Sequence, residues 1–389
     1  MREDALLNRR RFLALTGATA ALTLFSPHLM ANEPGEAPRF VFLLLRGGMD
    51  GLSAVPMLAD PAFAGLRGVL AEEETAGLPL DGGFALHPKL ATLHALYGAK
   101  EATIFHAVAG PYRSRSHFDA QDMLEQGIAA PATSDGFLAR MINNDGATKA
   151  VALAETMPLA LRGGERATSW APTLIPEASP DILDRLDDLY AGDALLEAAL
   201  QQMLENEAVG SGMGGKMNGG RGNIVTLAES AARFLTVEGG PNVAMLEFGG
   251  WDTHTGQTAR LNRQFAALDQ AIAALKAGLG ATWQRTAIIV ATEFGRTAAV
   301  NGTRGTDHGT AGAAFLFGGA VDGGRVIADW PGLGGAMLYE GRDLMPTLDL
   351  RAILKGVMAD HMKVAGPKLD LDIFPDSGTV KPLSSLIRA

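Results

Sequence analysis

Six short runs of the chain are apolar at almost every position: Phe40–Leu45, Ala102–Val108, Ala150–Leu153, Val243–Phe248, Thr286–Thr292 and Ala313–Phe317. Uninterrupted apolar runs of this length predict strands buried on both faces of a sheet. Between them the spacing turns helical. Ser116 opens a predicted helix over His117–Gln126, and Gly127 stops it. Further helices are expected over Ala194–Glu207 (capped by Asp193), Ile224–Val237, Thr258–Leu279 and Asp349–Met362. The longest carries Leu261, Phe265, Leu268, Ile272 and Leu275 at helical intervals. Strand alternating with helix predicts an α/β fold, a mainly parallel sheet with helices on both faces. The alternation breaks between about 130 and 222, where Pro, Gly and Ser cluster. That stretch is expected to be an inserted cap overlying the strand ends. Its glycine-rich close, Val209–Gly222, follows a helix rather than a strand and lacks a Gly-Lys-Ser/Thr ending, so it reads as a loop, not a phosphate cradle.

The first 31 residues change the picture. Asn8-Arg-Arg-Arg-Phe-Leu13 is a twin-arginine pattern, followed by an apolar run to about Phe25 and small residues near Leu29-Met-Ala31. The run is shorter than the roughly 20 residues a spanning helix needs. Residues 1–31 are therefore expected to be an export signal, leaving 32–389 as one α/β domain in the periplasm or secreted. No later stretch is apolar and long enough to span a bilayer. The full chain carries a net charge of −10 and no basic run, which argues against nucleic-acid binding. It has no cysteine. Disulfides, thiolate metal sites and a Cys nucleophile are excluded, and any metal must be held by Asp, Glu or His.

Four loops at predicted strand ends carry the candidate chemistry. They contribute Asp50; Ser116 with His117; Asp252 with His254; and Glu293 with Arg296, Asp307 and His308. Each has an ordinary reading: Asp50 as a turn residue, Ser116 as a helix cap, Asp252 and His254 bonding their own loop, Glu293 pairing with Arg296. Strand carboxyl ends of a parallel sheet converge on one edge, however, so together the loops point to a shared ligand site. Carboxylate with imidazole suits zinc or manganese best, with magnesium the oxygen-loving alternative, as one or two ions.

The segments Leu45-Arg-Gly-Gly-Met-Asp-Gly-Leu52, Arg113-Ser-Arg-Ser-His-Phe-Asp-Ala-Gln121, Gly250-Trp-Asp-Thr-His-Thr255, Thr292-Glu-Phe-Gly-Arg296 and Gly305-Thr-Asp-His-Gly-Thr310 resemble the domain-of-unknown-function-1501 family. That family is similar in layout to the alkaline phosphatase and sulfatase superfamily. The resemblance implies a three-layer sandwich with a nucleophile at a helix N-terminus and metal ligands around it. Carried over, Asp50 resembles the first ligand, Ser116 the nucleophile, Asp252 and His254 a middle pair, Glu293 a late Asp and His308 the last His. In an alternative register Asp307 and His308 form the late pair. Phe294 stands where a late histidine is expected, so one of two metal sites is incomplete in either register. Ser114-Arg-Ser-His-Phe118 does not match the oxidised-residue motif of sulfatases.

The resulting expectation is an exported metal-dependent hydrolase of phosphate or related anionic esters. Its substrate would be a small anionic ester or a modified saccharide. Ser116 is the candidate nucleophile; His117 is a ligand, proton donor or bystander; and Arg113, Arg115 or Arg296 would balance charge on the transferred group. The competing expectation is a non-catalytic binding or assembly protein on the same fold. An oxidoreductase is disfavoured because Arg46-Gly-Gly-Met-Asp-Gly51 lacks dinucleotide-fingerprint spacing.

Overall fold

The strands pair in an order set by their burial. The computed structural model describes residues 37–130, 134–172, 180–211 and 223–389; the expected signal and most of the glycine-rich segment lie outside them. Nine strands form one sheet: β1 (Arg39–Leu45), β2 (Ala102–Ala109), β3 (Ala150–Leu153), β4 (Ala167–Trp170), β5 (Val243–Phe248), β6 (Thr286–Thr292), β7 (Gly312–Phe317), β8 (Arg325–Ile327) and β9 (Leu348–Asp349). The order across it is β8-β2-β7-β6-β1-β5-β3-β4, with β9 also pairing with β2. The helices used below are α1 (Gly51–Ala54), α2 (Phe63–Arg67), α3 (His117–Gln126), α4 (Phe137–Asn143), α5 (Pro180–Tyr190), α6 (Ala194–Ser211), α7 (Ile224–Thr236), α8 (Gln257–Leu279) and α9 (Leu350–Asp360).

Alternation along β1 explains the three layers. Val41, Leu43 and Leu45 enter one core with α7 and α8, while Phe40, Phe42 and Leu44 enter the other with α4 and α9. Each side chain so buried contributes about 1.5–3 kcal/mol. Phe42 meets Phe137 of α4 edge-on at 5.3 Å, which ties that layer to the sheet. The expected α/β sandwich is therefore present.

All strands run parallel except β7, which is antiparallel to both β2 and β6. Leu45 lies opposite both Phe248 and Thr292, so the chain leaves β1, β5 and β6 at one edge. Because β7 is reversed, its amino end lies at that same edge. The loop before it, carrying Asp307 and His308, thus joins the others without a crossover helix.

The stretch 130–222, expected as a cap, in part builds the sheet instead. β3 pairs with β5 and β4 with β3, while α6 packs on β4 and α7. The short apolar run Ala150–Val151-Ala-Leu153 is buried throughout, and burial is satisfied by extending the sheet. Among the described residues no helix is long and apolar enough to cross a membrane.

Candidate metal centre at the sheet edge

Two imidazoles and a carboxylate, of His117, His308 and Asp252, converge on one point, with a third imidazole, His254, beside them. His117 opens α3; His254 lies in the loop after β5; His308 lies in the loop before β7. The His308 Nε2 is 2.9 Å from His117 Nε2 and 3.0 Å from His254 Nε2. Asp252 brings its carboxylate to the same place, with Oδ1 3.0 Å from His254 Nε2 and 3.3 Å from His308 Nε2, and Oδ2 3.6 Å from His117 Nε2.

The far nitrogen of each ring has an acceptor. His117 Nδ1 lies 2.7 Å from Glu293 Oε1, His254 Nδ1 3.0 Å from Asp307 Oδ1, and His308 Nδ1 3.1 Å from the Arg115 carbonyl oxygen. An Nδ1 so placed can donate its proton to that acceptor, which leaves the Nε2 of the same ring able to ligate an ion. Nitrogens on one tetrahedral zinc sit about 3.3 Å apart, and ligating histidines usually donate their other N–H to a carboxylate or carbonyl. The donor set thus fits one divalent ion held by His117, His308 and Asp252, whose ligand atoms all lie within 4.8 Å of one another, with His254 against His308 and Asp252 at the rim.

Charge around the point is consistent with that. Burial, then His117 and Arg296, hold His308 below the ordinary imidazole pKa, so the ring is neutral near pH 7. Burial would raise the Glu293 carboxyl, but hydrogen bonds from His117, its own backbone, Gln121 and the Gly47 amide outweigh it and leave it below its usual value. Asp252 is likewise lowered: burial opposes, and the Arg296 guanidinium, 2.7 Å away, prevails. For Asp307 the Asn301 hydrogen bond leads, with His254 adding to it against burial.

Glycines bring these loops together. A Cβ on Gly305 would lie 2.3 Å from the His254 backbone, and one on Gly47 (φ 121°) 2.5 Å from the Asp252 amide nitrogen. The main chains touch where the side chains must converge.

The other expected site residues lie as follows. Asp50, expected as a first metal ligand, caps α1 and faces a buried cation instead. Its Oδ1 accepts the Leu52 and Ser53 amides at 3.0 and 3.2 Å, and its Oδ2 accepts Arg67 Nη2 and Gln257 Nε2, each at 2.6 Å. Burial would raise this carboxyl, but Arg67 holds it below its usual range. Glu293 and Asp307 back the histidines rather than facing the point themselves; the remaining Glu293 oxygen accepts from Thr292. Arg296, expected to meet the transferred group, is 2 % exposed and grips Asp252 and Thr306. His117, whose role was open, is one of the two converging rings. Ser116 precedes α3 with an extended backbone, and its side chain makes no capping hydrogen bond. Phe294 is buried, its ring 4.7 Å from that of His117 and 5.2 Å from that of His308. A cavity of about 970 Å³ lies elsewhere, between β4, α6 and α7, lined by Trp170, Met203 and Phe234.

Sequence reasoning missed Arg67, which sits in no motif, and named Arg115 only for its charge, whereas its carbonyl reaches His308 from a left-handed backbone (φ 60°). It missed Gln121 as a participant, although the i, i+4 spacing from His117 places both side chains on Glu293.

Fold and site together define a three-layer α/β protein with a histidine-rich centre at the edge where its parallel strands end. The chain belongs to the family described as "Protein of unknown function (DUF1501)", which matches residues 106–372. No curated protein matches the sequence. Among solved structures it is similar to a putative sulfatase from Bacteroides thetaiotaomicron, at 9 % identity and TM-score 0.37 over 73 % of this chain and 64 % of that one. It is also similar to the phosphonate monoester hydrolase of Agrobacterium radiobacter, at 12 % and 0.35 over 75 % and 70 %. A third is the C-terminal periplasmic domain of EcEptC from Escherichia coli, in complex with Zn, at 12 % and 0.35 over 73 % and 74 %.

Proposed function

We propose that this chain is an exported metal-dependent hydrolase of phosphate or related anionic esters, working with a single divalent ion on His117, His308 and Asp252, with His254 at the rim. The reading rests on one observation: His308 Nε2 lies 2.9 Å from His117 Nε2 and 3.0 Å from His254 Nε2, beside Asp252, while every Nδ1 has an acceptor. Imidazole and carboxylate together favour zinc, then manganese, over magnesium. Bound there, such an ion supplies Lewis acidity to ester oxygens and eases ionisation of a nearby hydroxyl.

The remaining work falls to the chain. Glu293, Asp307 and the Arg115 carbonyl keep the three rings in the ligating tautomer. Arg296 keeps Asp252 ionised and in place. Ser116, free of a capping role, is the candidate nucleophile, and the first-turn amides of α3 would take up charge on the transferred group. Residues 1–31 serve as the twin-arginine export signal, and 32–389 act as one domain. The substrate class is a small anionic ester or modified saccharide.

Protein purified from the periplasm tests this. The expected result is about one zinc or manganese per chain, lost in His308→Ala, with aryl phosphate turnover abolished in a folded, metal-loaded Ser116→Ala. Metal-free wild type, or full turnover in Ser116→Ala, overturns it. A non-catalytic binding role is favoured by Phe294, whose ring walls the centre against His117 and His308. Full metal loading with no turnover of any aryl ester would support that role.

A further inference from the structure

On the loop that leads to the centre and the helix start packed against it, one guanidinium keeps a buried nitrogen without a partner and another has no carboxylate partner. β9 pairs Leu348 and Asp349 with Val108 and Ala109 of β2, which sets the start of α9 against the loop from Gly110 to Arg113. Arg351, on the first turn of α9, is 8 % exposed. Its Nε and Nη2 donate to Asp349 at 3.1 and 2.7 Å, but its buried Nη1 has no partner. Arg113 donates through Nη1 to the Gly110 and Tyr112 carbonyl oxygens and, among the described residues, makes no ion pair with a carboxylate.

A buried guanidinium N–H without an acceptor is costly, and a second unpaired guanidinium alongside adds repulsion. Burial lowers the Arg113 pKa; Tyr339 and Asp349 oppose, and Arg351 lowers it further. Both defects are relieved by one oxyanion, since planar guanidinium forks match sulfate, phosphate and carboxylate. The neighbouring Arg115 is already paired with Asp343 and Glu340, so it does not compete. The same loop runs on to Ser116 and to the Arg115 carbonyl that holds His308.

We propose that Arg113 and Arg351 form an anion subsite next to the metal centre, holding a sulfate, phosphate or carboxylate group that the substrate carries apart from its scissile ester. This rests on the reading of the chain as an anionic-ester hydrolase and narrows its substrate to a molecule with two acidic groups.

Inorganic sulfate, titrated calorimetrically into the full chain after metal removal, provides the first test. Saturable binding is expected, weakened by about tenfold or more in Arg113→Gln and Arg351→Gln, and unchanged in His254→Ala. Circular dichroism confirms folding, and the loop variant Arg113→Gln decides the matter if Arg351→Gln does not fold. Equal affinity in wild type and Arg113→Gln, or loss of binding in His254→Ala, overturns the subsite. With metal restored, Arg113→Gln should raise KM for a sugar bisphosphate more than for 4-nitrophenyl phosphate; equal rises overturn the assignment to a remote group. If the chain takes up no metal yet sulfate binding fails in both variants, the subsite stands and the hydrolase reading falls.

Discussion

Glu293→Gln separates charge from shape at the centre. Glu293 Oε1 accepts His117 Nδ1 at 2.7 Å, the Gly47 amide at 2.8 Å and Gln121 Nε2 at 2.9 Å. A glutamine carbonyl at that position preserves all three acceptor contacts. Its amide group then replaces Oε2, 2.9 Å from Thr292 Oγ1. In the variant that hydroxyl can turn its single hydrogen from Glu293 to the Leu45 carbonyl at 2.8 Å and offer a lone pair to the new donor. The fold should therefore persist while the negative charge behind His117 disappears. Loss of such a backing partner typically weakens metal binding by about 10- to 100-fold, or ~1.4–2.7 kcal/mol. Competition for zinc against a chromogenic chelator, with thermal unfolding of the metal-free forms as control, measures this. Zinc affinity equal to wild type in a folded Glu293→Gln protein would refute the reasoning.

Asp50→Ala should destabilise the fold by about 1–3 kcal/mol by leaving buried Gln257 and Arg67 donors short of an acceptor, Arg67 keeping its ion pair with Glu74 at 2.7 Å, while the folded protein retains its metal. Urea unfolding with elemental analysis checks this, and metal loss from folded protein would restore Asp50 as a ligand. Gly305→Ala should displace the His254 backbone, 2.3 Å from the added Cβ, and lower metal stoichiometry with little change in far-ultraviolet circular dichroism; undiminished loading counts against it. His106, fully buried on the Val55 carbonyl, is pushed down by burial to about 4 from 6.5. The unfolded chain binds a proton in that window while the folded one does not. Stability present above pH 6.5 is thus lost as pH falls towards 4, by about 3 kcal/mol. His106→Gln should flatten the profile of urea midpoints; an unchanged slope would exclude His106 as its source.

The strands were legible because their signal is local. Ala150–Leu153, Val243–Phe248 and Thr286–Thr292 carry continuous apolar runs that only a doubly covered sheet can bury. The α3 boundaries were legible from Ser116 and from Gly127, which adopts the left-handed turn (φ 69°). Strand direction was harder to read. The connection from Glu293 to Ala311 contains no helix, so it cannot be the usual parallel crossover. That absence marked β7 as reversed, yet it is a signal of what is missing. At the site, the residue types pointed to the right loops, but their roles depended on unseen partners. Asp50 was diverted by Arg67 and Gln257, which come from separate parts of the chain, and nothing near Asp50 announces them. Edge strands β4, β8 and β9, of two to four residues, are too short for alternation to register.

The three imidazoles hang from connections far apart along the polypeptide, His117 and His308 being separated by 191 positions. They cannot meet until β1, β2, β5, β6 and β7 have all docked, so the centre becomes competent only after long-range pairing. An ion captured there would brake disassembly rather than hasten assembly, slowing unfolding while leaving refolding almost untouched. Possession of the ion would then certify that these five central strands have come together.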